Sequence, residues 1–175
     1  DKDVLDTVET MIGGRDLAWH DGAITLNGER ITPRAIAPEF ARPVVIATDQ
    51  DRASVRATIK KLKSSGVNVI YLNAPPPALL ALADEEGMLV VESARRGLAA
   101  GDEETELIAL MRRDRSHPSI LGWLGPSPAQ GAFAALRKLD PTRFLLVRTP
   151  AGVKLYPPHA DESQAQQPPP GLLPP

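Results

Sequence analysis

The chain has 175 residues, 42% of them hydrophobic and 24% charged, with a formal net charge of −2. That length supports one well-buried core and excludes wholesale disorder, and a near-neutral charge without clustered Lys and Arg gives no electrostatic case for binding nucleic acid or anionic lipid. Absence of Cys removes disulfides, thiolate metal sites and a cysteine nucleophile, and no apolar run reaches the roughly 18 residues needed to cross a bilayer.

In chain order, residues 3–12 place Val4, Leu5, Val8, Met11 and Ile12 at helical spacing before Gly13-Gly14, which predicts a short amphipathic helix. Asp21-Gly22 and Asn27-Gly28 flank the alternating Ala23-Ile24-Thr25-Leu26, the pattern of strand, tight turn and strand. From there strand and helix patterns alternate, as repeated βα units with a parallel sheet should. Strands are expected at 31–36, 67–72, 88–91, 120–124 and 144–147. The helices between them are expected to run from a cap at Asp51 or Ser54 to Ser64, from Pro76-Pro77 through Leu79, Leu80, Leu82 and Ala83 to a close at Glu85-Glu86-Gly87, from Asp102 to Arg113, and from Gly131 to Leu139. After Pro150 the chain turns to Pro157-Pro158, Gln-rich residues 164–167 and Pro168-Pro169-Pro170, a composition that favours extended polyproline conformation. Three units follow: a helix and linker over 1–22, a βα domain over 23–150, and a Pro-rich tail over 151–175.

Several phrases, in order, carry a resemblance. Ile24-Thr25-Leu26-Asn27-Gly28-Glu29-Arg30-Ile31, Leu62-Lys63-Ser64-Ser65-Gly66-Val67-Asn68-Val69-Ile70, Leu82-Ala83-Asp84-Glu85-Glu86-Gly87-Met88-Leu89-Val90-Val91-Glu92, Arg113-Asp114-Arg115-Ser116-His117-Pro118-Ser119-Ile120 with Trp123, and Asp140-Pro141-Thr142-Arg143 are similar to the barrel domain of the family 2 glycoside hydrolases, the β-galactosidase and β-glucuronidase relatives. The resemblance implies an α/β fold: a partial (β/α) TIM-barrel-like parallel sheet of about five strands with flanking helices. A closed eight-stranded barrel usually takes about 250 residues, so the first and fifth strands are expected to be open edges in need of cover.

The departures concern chemistry. In the family, the Trp phrase leads to an Asn-Glu pair whose Glu is the general acid/base, whereas here no Asp or Glu occurs between Asp114 and Asp140. A retaining glycosidase needs two carboxylates about 5 to 5.5 Å apart, and the only acidic residues beyond Asp140 are Asp161 and Glu162. Tyr71 and Asn73 replace residues of the family's phrases after the second strand. The chain is therefore expected to be a non-catalytic, glycosidase-like structural or accessory subunit. The alternative is a carbohydrate-binding or hydrolysing module completed by a further segment or second chain.

No catalytic residue is assigned. Glu92, Trp123, Asn73 and Tyr71 are taken as a vestigial pocket. For Glu92 the competing reading is an ion pair with Arg95, Arg96 or Arg115, and for Trp123 it is core packing. Arg113, Asp114 and His117 read as a structural motif: Asp114 as the centre of a salt-bridge cluster under the barrel, His117 as the residue fixing entry to the fourth strand. His20, His117 and His159 lack ligand spacing, so no metal or other cofactor is expected. Pro168, Pro169, Pro170, Leu172 and Leu173 are expected to meet other protein subunits of a larger complex. The start at Asp1 rather than Met leaves room for a preceding signal peptide or anchor, and an extracytoplasmic setting, with that complex attached to a membrane, is the expectation.

Overall fold

A computed structural model describes residues 14–38, 45–126 and 132–173. The helix expected at 3–12 lies outside those residues. The description begins with a three-stranded antiparallel meander of β1 (Leu17–His20), β2 (Ala23–Leu26) and β3 (Glu29–Ile31). Both of its turns are two residues long, and all four turn residues have positive φ: Asp21 at 47°, Gly22 at 74°, Asn27 at 53° and Gly28 at 81°. This is the I′ geometry whose twist matches paired strands, and it is why Asp-Gly and Asn-Gly stand there.

A six-stranded sheet follows in the order β4 (Ala35–Ile36), β5 (Val69–Asn73), β6 (Leu89–Ser93), β7 (Ile120–Gly125), β8 (Phe144–Thr149) and β9 (Gly152–Tyr156). The first five strands are parallel and successive, and β9 runs antiparallel to β8. Helices α1 (Asp49–Ser64), α2 (Pro77–Glu86), α3 (Ala100–Asp114) and α4 (Ala132–Leu139) connect the parallel strands. The architecture is thus the α/β partial barrel read from the sequence. Two details differ. The segment 31–36 divides between β3 and β4, and the tail unit contributes a sheet strand, because Thr149↔Gly152 pairing across Pro150-Ala151 folds the chain back as a hairpin.

Local signals explain the helix ends. Thr48, rather than Asp51 or Ser54, caps α1: its hydroxyl accepts the Asp51 N–H while the Asp51 carboxylate accepts the Thr48 N–H, a reciprocal capping box. Pro77 opens α2, where its missing N–H costs nothing, and Gly87 closes it in the left-handed conformation at φ 62°.

Two apolar layers flank the sheet. On the helix-covered face, Ile59, Leu79, Leu80, Leu107 and Met111 pack on Ile70, Leu72, Val90, Ile120 and Trp123. On the concave face, Val69, Tyr71, Val91, Leu121, Phe144 and Leu146 meet Leu17 and Ile24 from the meander and Leu172 from the tail. Alternation along β5, β6 and β8 produces this split, and in β7 the irregularity opposite Val90 and Val91 resets it.

The tail is an internal strap. Leu155 and Gln166 exchange backbone hydrogen bonds at 2.9 and 2.7 Å on the outer side of β9, and the Ala35 N–H of β4 donates to the Gly171 carbonyl at 2.8 Å. Residues 166–171 thereby tie one sheet edge to the other. Leu172 follows into the concave core with no exposed surface, a burial that contributes roughly 1.5–3 kcal/mol. Leu172, one of the residues expected to meet a partner, has its side chain covered by its own chain. Pro170 is exposed, while Pro168, Pro169 and Leu173 are half-buried.

Candidate ligand cavity

Strand polarity gives the sheet two distinct ends. Where the parallel strands begin, the motif residues form a hydrogen-bonded network. The His117 ring Nδ1 lies 2.6 Å from Asp84 Oδ2, and Asp84 Oδ1 accepts the Ser119 N–H at 2.8 Å. His117 thus fixes the entry to β7, the structural role read from its phrase. Burial works to raise the Asp84 pKa, but the hydrogen bonds from His117 and Ser119, with the His117 charge, outweigh it and hold the carboxyl below its usual value.

Asp140 is the second node. Its carboxylate accepts from Trp123 Nε1 at 2.9 Å, Arg143 Nη1 at 2.8 Å, and the Thr142 hydroxyl and N–H at 2.8 and 3.1 Å. Burial again opposes ionisation, and the Arg143 charge with the Trp123 and Thr142 hydrogen bonds wins, so the carboxyl titrates low. Arg143 also donates to the carbonyls of His117 and Ile120, and Arg15 donates to those of Pro118 and Ile120. Burial lowers the Arg15 pKa to about 9.

The predicted pocket residues separate. Glu92 and Trp123 are partners across β6 and β7, both fully buried, and both face the helix layer rather than the concave side. Glu92 pairs with none of the arginines suggested by sequence. Arg95 is bound to Glu106 at 2.5 Å, Arg115 donates to the Leu139 carbonyl, and the cation nearest Glu92 is Arg113, at 4.0 Å. Neither Glu92 oxygen has a hydrogen-bond partner. Burial, then the neighbouring Asp114 charge, pushes the Glu92 carboxyl up to about 9, with Arg113 opposing. Asp114 is held by Arg113 through two hydrogen bonds of 2.6 and 2.7 Å, and Arg113 also donates to the Pro75 carbonyl. The Arg113–Asp114 ion pair stands beside Glu92.

Tyr71 and Asn73 do share a cavity. It has a volume of about 480 Å³, opens where the parallel strands end, and is lined also by Ser93, Arg95, Arg96, Gly97, Glu103, Leu124, Arg148, Val153 and Leu173. The Asn73 side-chain oxygen accepts the Ser93 hydroxyl at 2.7 Å. Arg148 is ion-paired with Glu103. Tyr71 is 9% exposed, its hydroxyl is buried without a partner, and burial raises its pKa. Sequence reasoning missed Arg96, Arg148, Glu103 and Val153 as lining residues. The position of Arg96 just past a strand was the available signal, whereas Val153 and Leu173 reach the cavity only through the folded-back tail.

Among the described residues no cluster of three or more His, Asp or Glu side chains is arranged to hold a metal ion, and no helix is long and apolar enough to cross a membrane. No family model matches the chain. Over 166 residues it is 31% identical to a putative β-glucuronidase of Formosa agariphila, covering 82% of this chain and 16% of that protein. It is 27% identical to β-galactosidase 2 of Enterobacter cloacae, over 81% of this chain and 16% of that protein. Among solved structures, a β-glycosidase from Bacteroides vulgatus matches with a TM-score of 0.62 at 23% identity, over 84% of this chain and 22% of that one. A β-glucuronidase from Parabacteroides merdae matches at 0.60 and 23% identity, over 79% and 21%. These structural likenesses show the fold, and the chain spans 16% of the length of the curated relatives.

Proposed function

The chain corresponds to a fragment of a family 2 glycoside hydrolase barrel of the β-glucuronidase and β-galactosidase kind, and from that premise we propose that it is non-catalytic, a structural or accessory block that meets partner proteins. The supporting observation is that, among the described residues, the cavity is lined by one carboxylate, Glu103, already bound to Arg148. Acid/base glycoside cleavage by retention needs a second carboxylate about 5 to 5.5 Å away. Glu92 and Asp114 are neighbours, but both are sealed on the helix-covered face, and neither lines the cavity. A buried pair without access to a glycosidic oxygen cannot protonate it.

Hydrolysis of aryl β-glucuronides and aryl β-galactosides tests this reading. No release of the aryl group above the buffer rate is expected, and turnover abolished by E103Q or E92Q overturns it. The accessory role is tested by isolating the chain from its native source: it should travel with other chains at fixed stoichiometry, in an extracytoplasmic fraction, and a free monomer there removes the accessory role. The free side of β9 beyond the Leu155–Gln166 pairing is the surface we favour for partners, since an edge strand offers unpaired backbone groups.

A sugar-binding reading has the cavity itself in its favour. Against it stands the apolar wall of Leu124, Val153 and Leu173, which offers nothing to a polyol's hydroxyl groups.

A further inference from the structure

The cavity at the strand ends has a pattern of unspent hydrogen-bonding capacity that the non-catalytic reading does not use. At its floor the Tyr71 hydroxyl is buried and unpartnered, and buried polar groups of native proteins nearly always have partners. Beside it, Asn73 engages its side-chain oxygen with Ser93, which leaves the amide nitrogen as its free group. At the rim, Arg95 and Arg148 are neutralised by Glu106 and Glu103. Arg96 has no ion-pair partner among the described residues.

Among the described residues each of these groups can donate, and one is cationic. Between them the wall is apolar, formed by Leu124, Val153 and Leu173. A volume of about 480 Å³ is in the range of small-molecule sites. A sugar, polar on every edge, would leave the apolar wall unmatched and would give the Arg96 cation no counter-charge.

We propose that this cavity binds a small amphipathic organic anion, an apolar body bearing one carboxylate. The carboxylate pairs with Arg96 and accepts from Asn73 and Tyr71, and the hydrocarbon part covers Leu124, Val153 and Leu173. Because Val153 belongs to β9 and Leu173 to the strap, the site depends on the folded-back tail as well as on the parallel strands.

The test is calorimetric titration of the full chain with 4-phenylbutyrate, its methyl ester, galactose and glucuronate. The acid is expected to bind saturably, with the ester, galactose and glucuronate each about tenfold weaker or worse, and with R96Q and Y71F each weakening the acid by about tenfold. Arg96 is exposed and the Tyr71 oxygen has no partner to lose, so both variants should fold, and either alone suffices if the other does not. The proposal is overturned if the acid does not saturate, if ester and acid bind equally, if glucuronate or galactose matches the acid, or if neither variant changes the affinity. Glycoside turnover does not enter any of these readouts.

Discussion

Where the parallel strands begin, Asp84, His117, Asp140, Trp123 and Arg143 satisfy one another through contacts of 2.6 to 2.9 Å, whereas where the strands end, Tyr71, Asn73 and Arg96 keep donors unmatched. The first end is closed by its own residues and does architectural work. The second is left incomplete, and in barrels that is the end from which loops meet ligands. Motif residues that look chemical in a linear reading, His117 and Asp140 among them, fall at the closed end. Their polar groups hold strand entries in place because leaving any one of them buried and unpaired would cost more than the bond returns.

Three substitutions at the closed or helix-covered positions and one at the open end sharpen that contrast, from the largest expected effect downwards. D140A strands the buried Arg143 guanidinium and the Trp123 N–H, and should cost about 3–5 kcal/mol in denaturant unfolding. A loss below about 1 kcal/mol would mean that the network is decorative. H117A removes one partner of Asp84 and should cost about 1–3 kcal/mol. Because Asp84 and Asp140 titrate low in the folded protein, they add stability above their unfolded pKa of about 3.9. That stability is lost as pH falls through the folded values. H117A should therefore show a shallower loss in acid, and an unchanged acid slope would dissociate His117 from Asp84.

Glu92 has the opposite sign. Its folded pKa is raised from 4.5 to about 9, so it favours the fold while protonated, and stability should decline as pH rises between those values. E92Q should flatten that decline, and parallel pH–stability curves for the two proteins would contradict the burial assigned to Glu92. Smallest of all, Y71F deletes a hydroxyl that bonds to nothing, so thermal and chemical stability should change by less than about 1 kcal/mol in either direction. A larger loss would reveal a partner for Tyr71 and remove the contrast at the open end.

Legibility followed the range of the signal. The β–α alternation, the Asp-Gly and Asn-Gly turns and the Pro77 and Gly87 helix ends are encoded within a few residues, and each was readable. His117 was legible as a residue placed directly before an apolar strand, whereas its contact with Asp84 joins segments 33 residues apart. The vestigial pocket was not. Glu92 and Trp123 lie at strand positions whose facing depends on register, and one step along a strand reverses the side. The irregular pairing between β6 and β7 near Val90 and Val91 moves that register in a way that no local pattern announces.

What the amino-acid order determined by itself was the set of local choices: which segments are strands, which are helices, where each turns, and the lack of any acidic side chain from residue 115 to residue 139. Tertiary structure alone decided that the Pro-rich segment closes the sheet from Gln166 to Gly171, that Leu172 fills the concave core, and that Glu92 turns away from the cavity. The reason is that these outcomes are long-range. The Gly171–Ala35 hydrogen bond joins residues at opposite ends of the chain, and the apolar surface that draws Leu172 inward exists only once the strands have assembled.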